Sequence, residues 1–207
     1  MGTDLLRLSF ASLFAGCVAV ASLVVPFNSS AENFSAQSTA DTESYVILLR
    51  HAQAPGRGEP ANFNLNDCST QRSLSDKGRE EAKELGNTLR AMGVNVTKVL
   101  ASRWCRARQT AELLNLGPVD DTRVFDNLEL NKNRSQFLLE SERRLIASWR
   151  GPGVLVVVTH SSNLDALAEG TPAPGSVIVV QPSKSTDRLR VEQVNLGEPP
   201  APMQYWN

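Results

Sequence analysis

Two runs of apolar residues predict the best-defined strands of this chain, and a histidine follows each run directly. The first run is YVILLRH, residues 45–51, and the second is VLVVVTH, residues 154–160. Runs of about six residues that are rich in β-branched side chains are typical of strands buried in a parallel or mixed sheet. Open α/β sheets gather their chemistry beyond the carboxyl ends of the strands, so we expect His51 and His160 to face each other there, with Arg50 beside His51. The alternative is two unrelated histidines in surface loops.

Helical and strand patterns alternate along the rest of the chain. Ser75 is a candidate N-cap of a helix that ends near Met92 before Gly93, and Ser135 is a candidate N-cap of a helix that ends near Trp149. The other predicted elements are, in chain order, a strand at 94–100, a helix at 104–114, a helix at 162–169 and strands at 176–181 and 188–194. This alternation predicts an α/β protein, a three-layer α/β/α sandwich with a mostly parallel central sheet.

Residues 52–72 predict a long loop between the first strand and the first helix. The segment contains two prolines, two glycines and three asparagines. Unstructured segments of this length inside a compact domain are usually functional. We therefore expect this loop to cover the carboxyl edge of the sheet and to shape the entrance to a site there.

The N-terminal segment has the pattern of a secretory signal. Residues 8–25 are almost free of charge, follow Arg7 and lead through Pro26 into small residues, which predicts cleavage after Ala31. The alternative is an uncleaved membrane anchor, because an apolar run of this length could just span a bilayer. A lipoprotein signal at Cys17 fits less well, since apolar sequence continues after the cysteine. In each case we expect the domain to work in the periplasm or outside the cell.

Composition adds few constraints beyond this segment. We expect four parts: a signal peptide at 1–31, a flexible lead-in at 32–43, one domain at 44–197 and a proline-rich tail at 198–207. The net charge is −1, so no overall attraction to nucleic acid or to an anionic membrane is expected. Membrane contact is expected only through an uncleaved N-terminal segment, and any affinity for an anion must be local.

A local cluster of arginines follows the second predicted strand. Arg103, Arg106 and Arg108 fall in the turn and the first turn of the next helix, within ASRWCRARQTAELL. A helix start favours anions, and guanidinium groups added there would bind a phosphate or a carboxylate through their planar fork of donors. The alternative is a solvated basic face without a ligand.

Four short blocks of the sequence contain most of the residues suited to phosphate chemistry. They are Arg50-His51, Arg72-Ser73-Leu74-Ser75 with Gly78, Ser102 with Arg106 and Gln109-Thr110-Ala111, and Thr159-His160. In their order and rough spacing these blocks resemble the histidine phosphatase superfamily, over roughly residues 44–195. That superfamily includes the phosphoglycerate mutases and the short phosphohistidine phosphatases, and the exported short members are the most similar.

The resemblance implies a phosphoglycerate mutase-like fold and a role for each matching residue. His51 would attack phosphorus and form a phosphohistidine, while Arg50, Arg106 and His160 would surround the phosphoryl oxygens that carry negative charge. A neutral imidazole nucleophile needs its other nitrogen held as a donor, and a second imidazole near the phosphate is useful as a cation. No cofactor and no metal are expected, because two histidines without a carboxylate cluster do not make a zinc site.

The sequence departs from the family at three places. Ala52 stands where glycine commonly follows the histidine, and Arg103 replaces a common proline and would add a cation at the pocket mouth. The third place is the proton donor, for which larger members use a glutamate. Glu129 is the better candidate here and Asp126 the second, while the alternative is that both are loop carboxylates and no donor is needed for a good leaving group.

Arg72 has two interpretations of equal weight. In the short phosphatases an arginine of this block precedes the first helix, so Arg72 could bind the phosphate. It could equally tie the long loop to a carboxylate.

The function that these features favour is an exported phosphomonoesterase, a metal-independent histidine acid-type phosphatase that hydrolyses a small phosphate ester. A phosphosugar mutase is less favoured, because the chain lacks the long insertions of the mutases. A non-catalytic protein that binds phosphate or a phosphosugar on the same scaffold is the alternative from another class.

The cysteines predict a disulfide. Once a signal is removed with Cys17, the pair Cys68 and Cys105 is left, and an even pair in an oxidising compartment is more often bridged than free. Both cysteines are expected at the carboxyl edge of the sheet, where a bridge would pin the long loop beside Arg106. The alternative is two free thiols, with Cys105 packed inside its helix.

Overall fold

Six strands form one mixed sheet in the described part of the chain. The computed structural model describes residues 44–168, 176–182 and 190–195. The strands are β1 Tyr45–Arg50, β2 Val96–Ser102, β3 Val119–Thr122, β4 Val154–Thr159, β5 Ser176–Gln181 and β6 Arg190–Asn195. Their order in the sheet is β3-β2-β4-β1-β5-β6. Strands β1 to β4 run parallel to one another, and β5 is antiparallel to both β1 and β6.

Helices cover both faces of this sheet. They are α1 Asp76–Ala91, α2 Cys105–Leu114, α3 Ser135–Ser148 and α4 Ser161–Leu167. Apolar residues of α1 and α2 pack with Ile47 and Leu49 of β1 on one face, whereas α3 and α4 pack with Val46 and Leu48 on the other. Alternate residues of β1 therefore enter two separate cores, which is why residues 46–49 of the strand are all apolar. The predicted three-layer α/β/α fold with a mostly parallel sheet is confirmed.

The register of β1 and β4 brings their carboxyl ends together. Arg50 pairs with Thr159, and the backbone N–H of His51 donates to the Thr159 carbonyl at 2.9 Å. Every residue of β4 is buried. Because the two strands are parallel neighbours, the residue after each one, His51 and His160, emerges at the same edge of the sheet.

The sequence predictions for the helices hold in part. Ser75 is the N-cap of α1 and accepts the N–H of Gly78, while Gly93 follows the helix with φ +71°. The prediction that Ser135 caps α3 is wrong. Arg134 has that position, at the end of a short 3-10 helix, and the Ser135 hydroxyl donates to the Lys132 carbonyl instead.

Strand boundaries also differ from the prediction. Strand β2 begins two residues later than expected and continues to Ser102. Strand β3 was not predicted, because its sequence Val-Asp-Asp-Thr has no apolar run and it forms an edge of the sheet with its two aspartates exposed. An edge strand buries little, so its pattern is weak.

The long loop lies where it was expected, between β1 and α1. Within residues 52–72 the structure has one 3-10 turn, Cys68–Thr70, which Asp67 caps by accepting the N–H of Ser69. The predicted signal peptide, the lead-in and the proline-rich tail lie outside the described residues. None of the helices in the described part of the chain is long and apolar enough to cross a membrane.

Candidate active site

His51 is a neutral imidazole whose two nitrogens have different partners. Its Nε2 accepts a hydrogen bond from Nε of Arg106 at 3.1 Å, so the ring hydrogen is on Nδ1, which donates to the Ala52 carbonyl at 2.8 Å. Burial lowers the pKa of His51 to about 3; nearby arginine charges act in the same direction, and the bond to Ala52 opposes them. At neutral pH His51 therefore presents a lone pair on Nε2.

The backbone that orients His51 is fixed by a residue of α2. The N–H of Ala52 donates to Thr110 Oγ1 at 3.0 Å, and the Thr110 hydroxyl donates to the Arg106 carbonyl at 2.7 Å. Ala52 occupies the position where the family commonly has glycine. This bond keeps the Ala52 carbonyl available to the Nδ1–H of His51, so Thr110 is a positioning residue for the imidazole.

His160 lies against His51 with one ring nitrogen unsatisfied. The two ring centroids are 5.4 Å apart in an edge-to-face arrangement, and the Nε2 of His160 is 2.8 Å from Ser102 Oγ. Within the described part of the chain, the buried Nδ1 of His160 has no hydrogen-bond partner. Burial lowers the pKa of His160 well below its usual value, and His51 and the nearby arginines act in the same direction. A buried polar atom without a protein partner is rare and costly, so the Nδ1 of His160 requires a chemical explanation.

Arg106 joins the imidazole to a carboxylate that the sequence did not identify. It lies in the first turn of α2 and is fully buried, and its Nη1 is 2.5 Å from Glu59 Oε1. Burial lowers the pKa of Arg106, and the Glu59 carboxylate opposes that effect. The Glu59 side chain is only 6% exposed, so the ion pair is shielded from water. The guanidinium thus contacts the nucleophile candidate at one nitrogen and an acid at another.

Nothing in the local sequence distinguished Glu59. It lies in the Gly- and Pro-rich loop, and its place in the site comes entirely from the path of that loop over the sheet edge. The available signal was indirect: the loop was expected to be functional, and it carries only two acidic residues, Glu59 and Asp67.

Arg72 holds the long loop through its carbonyl groups. Its Nε donates to the Gly58 carbonyl at 2.7 Å, and its Nη1 donates to those of Ala54 at 3.0 Å and Gly56 at 2.8 Å. Of the two interpretations, the loop-tying one is thus realised, with carbonyls in place of the expected carboxylate. The charge of Arg72 still contributes to the low pKa of His51 and of Arg106.

The remaining predicted residues lie at different depths. Arg50 is exposed at the end of β1, and its charge also lowers the pKa of His51. Glu129 is exposed on a turn. Asp126 is buried and accepts from Arg103 Nε at 3.0 Å, so Arg103 is paired and is not a free cation at the pocket mouth.

The predicted disulfide is present. Cys68 of the loop is bonded to Cys105 at the start of α2, with the two Cα atoms 5.7 Å apart. A second tie lies beside it, because the backbone N–H of Cys105 donates to the Gln71 side chain at 3.0 Å. Since Arg106 is the next residue, the end of the loop is fixed directly to the segment that carries the buried guanidinium.

Comparison with known proteins agrees with this arrangement. The sequence profile of the histidine phosphatase superfamily (branch 1) matches residues 46–129. An uncharacterized protein of Picosynechococcus is 31% identical over 129 residues, which cover 60% of this chain and 70% of that protein. This chain belongs to the histidine phosphatase superfamily.

Other relatives match a smaller part of their own length. The mitochondrial serine/threonine-protein phosphatase Pgam5 of Drosophila virilis is 32% identical over 88 residues, 42% of this chain and 26% of that protein. The Pgam5 of Drosophila mojavensis is 33% identical over 81 residues, 39% of this chain and 25% of that protein. The chain thus aligns with about a quarter of the length of these relatives.

Solved structures share the fold. The protein histidine phosphatase SixA, in a complex with tungstate, is 18% identical with a TM-score of 0.50, over 73% of this chain and 96% of that one. An open reading frame product of Mycobacterium tuberculosis is 15% identical with a TM-score of 0.52, over 73% of this chain and 97% of that one. At these identities the likeness establishes the fold alone.

Proposed function

We propose that the protein is a phosphomonoesterase that hydrolyses a small phosphate ester through a phosphohistidine on Nε2 of His51. The observation that carries the proposal is the neutral, buried imidazole with its lone pair held against the Arg106 guanidinium. An unprotonated ring nitrogen is the nucleophile that such a step requires, and a fixed cation beside it stabilises the charge of a transferring phosphoryl group. Membership of the superfamily and the phosphatase names of the Pgam5 relatives support the same reaction.

In the first step the ester phosphate takes donors of Arg106 away from His51 and Glu59. Nε2 of His51 then forms a bond to phosphorus while the bond from phosphorus to the ester oxygen breaks. Ser102 Oγ accepts a long hydrogen bond of 3.4 Å from the backbone N–H of Trp104, so the Ser102 hydroxyl can donate its own hydrogen to Nε2 of His160. The ring hydrogen of His160 is then on Nδ1, where it can be donated to the phosphate. A bound dianion also favours a second proton on His160. In the second step water attacks phosphorus and His51 leaves.

We further propose that the reaction needs no metal and no cofactor. Among the described residues there is no group of three or more His, Cys, Asp or Glu side chains that could hold a metal ion. A metal ion would otherwise supply positive charge to the phosphoryl oxygens. Here that charge comes from Arg50 and Arg106, with Arg72 nearby, and from His160 when it is protonated.

Export of the protein is part of the proposal. The apolar segment at 8–25 followed by small residues supports a secretory signal, and the disulfide between Cys68 and Cys105 supports an oxidising compartment. A periplasmic or secreted enzyme would meet small phosphate esters more readily than cytoplasmic phosphoproteins.

The experiment is steady-state and burst kinetics of the purified, oxidised domain with p-nitrophenyl phosphate. A hydrolase releases nitrophenol and inorganic phosphate in equal amounts with turnover. A mutase, given a phosphosugar, would instead transfer the phosphoryl group from one position of the sugar to another without net release of phosphate. A binding protein would retain radiolabelled phosphate in equilibrium dialysis and show no turnover, which would contradict the proposal.

A further inference from the structure

A single guanidinium lies between the proposed nucleophile and a buried carboxylate. Arg106 contacts Nε2 of His51 with its Nε at 3.1 Å and Oε1 of Glu59 with its Nη1 at 2.5 Å. Both side chains of the ion pair are buried, with 1% of Arg106 and 6% of Glu59 exposed. A buried ion pair costs desolvation and is weak evidence for a stabilising role, so its presence in a site calls for a chemical explanation.

We propose that Glu59 is the catalytic acid and base of this enzyme: it protonates the leaving oxygen of the ester and then takes a proton from the attacking water. The inference rests on the proposed hydrolysis through His51. It assigns the proton transfer to the loop that follows the first strand, and not to the segment around Glu129.

Glu59 and His51 are held by different donors of one guanidinium. Arg106 donates to His51 through Nε and to Glu59 through Nη1. In-line transfer requires the nucleophile and the leaving oxygen on opposite sides of phosphorus. The proposal therefore requires the leaving oxygen of a bound ester to face Glu59 while Nε2 of His51 attacks from the other side.

Substrate binding would also change the charge that Glu59 faces. In the free enzyme the carboxylate is paired with the Arg106 cation, and the backbone N–H of Arg72 approaches its Oε2 at 3.5 Å. When a phosphate dianion takes donors of Arg106, the Glu59 side chain is released from the ion pair and lies beside the bound ester.

Protons and electron pairs are conserved over the two steps, and Glu59 ends in the protonation state in which it began. In the first step the lone pair of Nε2 forms the bond to phosphorus, the electron pair of the breaking ester bond goes to the leaving oxygen, and the Glu59 proton joins that oxygen. In the second step the Glu59 carboxylate takes a proton from water as its oxygen bonds to phosphorus, and the electron pair of the phosphorus–nitrogen bond returns to Nε2. No co-reactant besides water is needed.

The two carboxylates that the sequence indicated are placed differently. Glu129 is exposed and forms no hydrogen bond or ion pair with any described residue. Asp126 accepts from the side chain and from the backbone N–H of Arg103, at 3.0 and 3.3 Å. Of the three carboxylates, Glu59 is the one bonded to the guanidinium that contacts His51.

The test compares Glu59→Gln with Glu129→Gln on two substrates, an alkyl phosphate and p-nitrophenyl phosphate. Nitrophenolate barely needs a proton to leave, so Glu59→Gln should lower kcat/KM for the alkyl ester by on the order of 10²-fold and for the nitrophenyl ester by less than about 3-fold. Glu129→Gln should change neither. The ratio of the two values within one preparation does not depend on the folded fraction, so it stays informative if Glu59→Gln lowers stability.

Other outcomes would overturn the assignment. Equal losses on both substrates would make Glu59 a support for Arg106 and not an acid. A gain on both substrates, with tighter binding of inorganic phosphate, would mean that Glu59 only competes with the phosphate for the guanidinium. A selective loss in Glu129→Gln would move the acid to the turn. Wild-type turnover with p-nitrophenyl phosphate tests the proposed function separately, since its absence would refute hydrolysis whatever Glu59 does.

Discussion

Two buried ionisable residues have pKa values displaced in opposite directions. Burial lowers the pKa of His51 to about 3 and raises that of Glu142 in α3 to about 8. Both groups are therefore neutral near pH 7, although the usual form of a glutamate there is charged. For His51 this neutrality leaves the lone pair on Nε2 that the proposed nucleophile requires. We assign Glu142 no role in catalysis. Its Oε1 accepts a hydrogen bond from the Asn163 amide at 2.6 Å, and Asn163 also donates to the Asp126 carbonyl.

Glu142 predicts a pH dependence of stability. The pKa of Glu142 is raised in the folded state, so the folded state favours the protonated carboxyl group. The contribution of Glu142 to the free energy of unfolding is therefore complete below pH 4.5, its ordinary pKa, and is lost as the pH rises to about 8. Glu142→Gln keeps an oxygen for Asn163 and removes this titration. Relative to the variant, the wild-type protein should lose up to about 1.4 kcal/mol of unfolding free energy per pH unit in that window. Urea unfolding of both proteins at several pH values measures this, and a difference independent of pH would refute a protonated Glu142.

Substitution of the buried arginine of α2 should lower activity much more than substitution of the partly exposed one. Arg106→Ala should lower kcat/KM by on the order of 10²-fold or more, because a preorganised donor to the phosphoryl group is lost. Arg108 is 41% exposed and interacts with Glu112 at 3.6 Å and Asp121 at 3.5 Å, so Arg108→Ala should have a much smaller effect. Kinetics on p-nitrophenyl phosphate, with urea unfolding to confirm that both variants fold, compares them. Equal losses would mean that the roles of the two arginines are assigned wrongly.

Among the elements, the loop 52–72 has the greatest effect on the site. It brings Glu59 to Arg106, and it is attached at its far end through Cys68 and Gln71 to the start of α2. The Arg72 side chain, at the end of the loop, holds residues 54–58 by donating hydrogen bonds to three of their backbone carbonyls. A segment without strands or α-helices is thus held by side-chain bonds and one covalent link.

Removing the disulfide should destabilise the fold measurably. The bridge closes a loop of 37 residues, for which the chain-entropy estimate is about 4 kcal/mol, less any strain. Cys68→Ser with Cys105→Ser should lower the unfolding free energy by a large part of that amount. Non-reducing alkylation with mass spectrometry of protein purified without reductant gives the complementary check. Uptake of the reagent by both cysteines in the folded, unreduced protein would show that no bridge forms.

The contact between α1 and α2 depends on a glycine. A Cβ added at Gly86 would be 2.0 Å from the backbone carbonyl oxygen of Leu114, which cannot move without shifting the end of α2. Although alanine is the better helix former, Gly86→Ala should lower the unfolding free energy by about 1–3 kcal/mol through overpacking. Glu84→Ala, on the exposed side of α1, is the control and should stay within about 0.5 kcal/mol of wild type. A more stable Gly86→Ala protein would contradict the close contact.

At the scale of the whole molecule, some features followed from sequence and others needed the assembled chain. The apolar runs before His51 and His160 predicted two central strands, and the shared carboxyl edge of parallel strands then predicted that the histidines meet. Strand β3 could not be predicted, since Asp120 and Asp121 are solvated on an edge. Glu59 could not be identified either, because its burial against Arg106 exists only after the loop has folded over the sheet.

The assembled site is closed in the free protein. His51 is 6% exposed, His160 is 1% exposed and Arg106 is fully buried, with Glu59 on the guanidinium. Under the proposed function, a phosphate ester displaces that carboxylate from Arg106 before it reaches Nε2 of His51. The strand order, the disulfide and the loop together place an internal carboxylate on the guanidinium where we propose that the substrate binds.

The most direct test of this account is the capture of the covalent intermediate. The oxidised domain is mixed with a radiolabelled phosphate ester and quenched within the first turnover, and the label is mapped by digestion and mass spectrometry. We predict an acid-labile, alkali-stable label on the peptide that contains His51, and none on a well-folded His51→Ala protein, which should also lose turnover. A labelled His51→Ala protein, or one that still hydrolyses the ester substantially, would contradict the account.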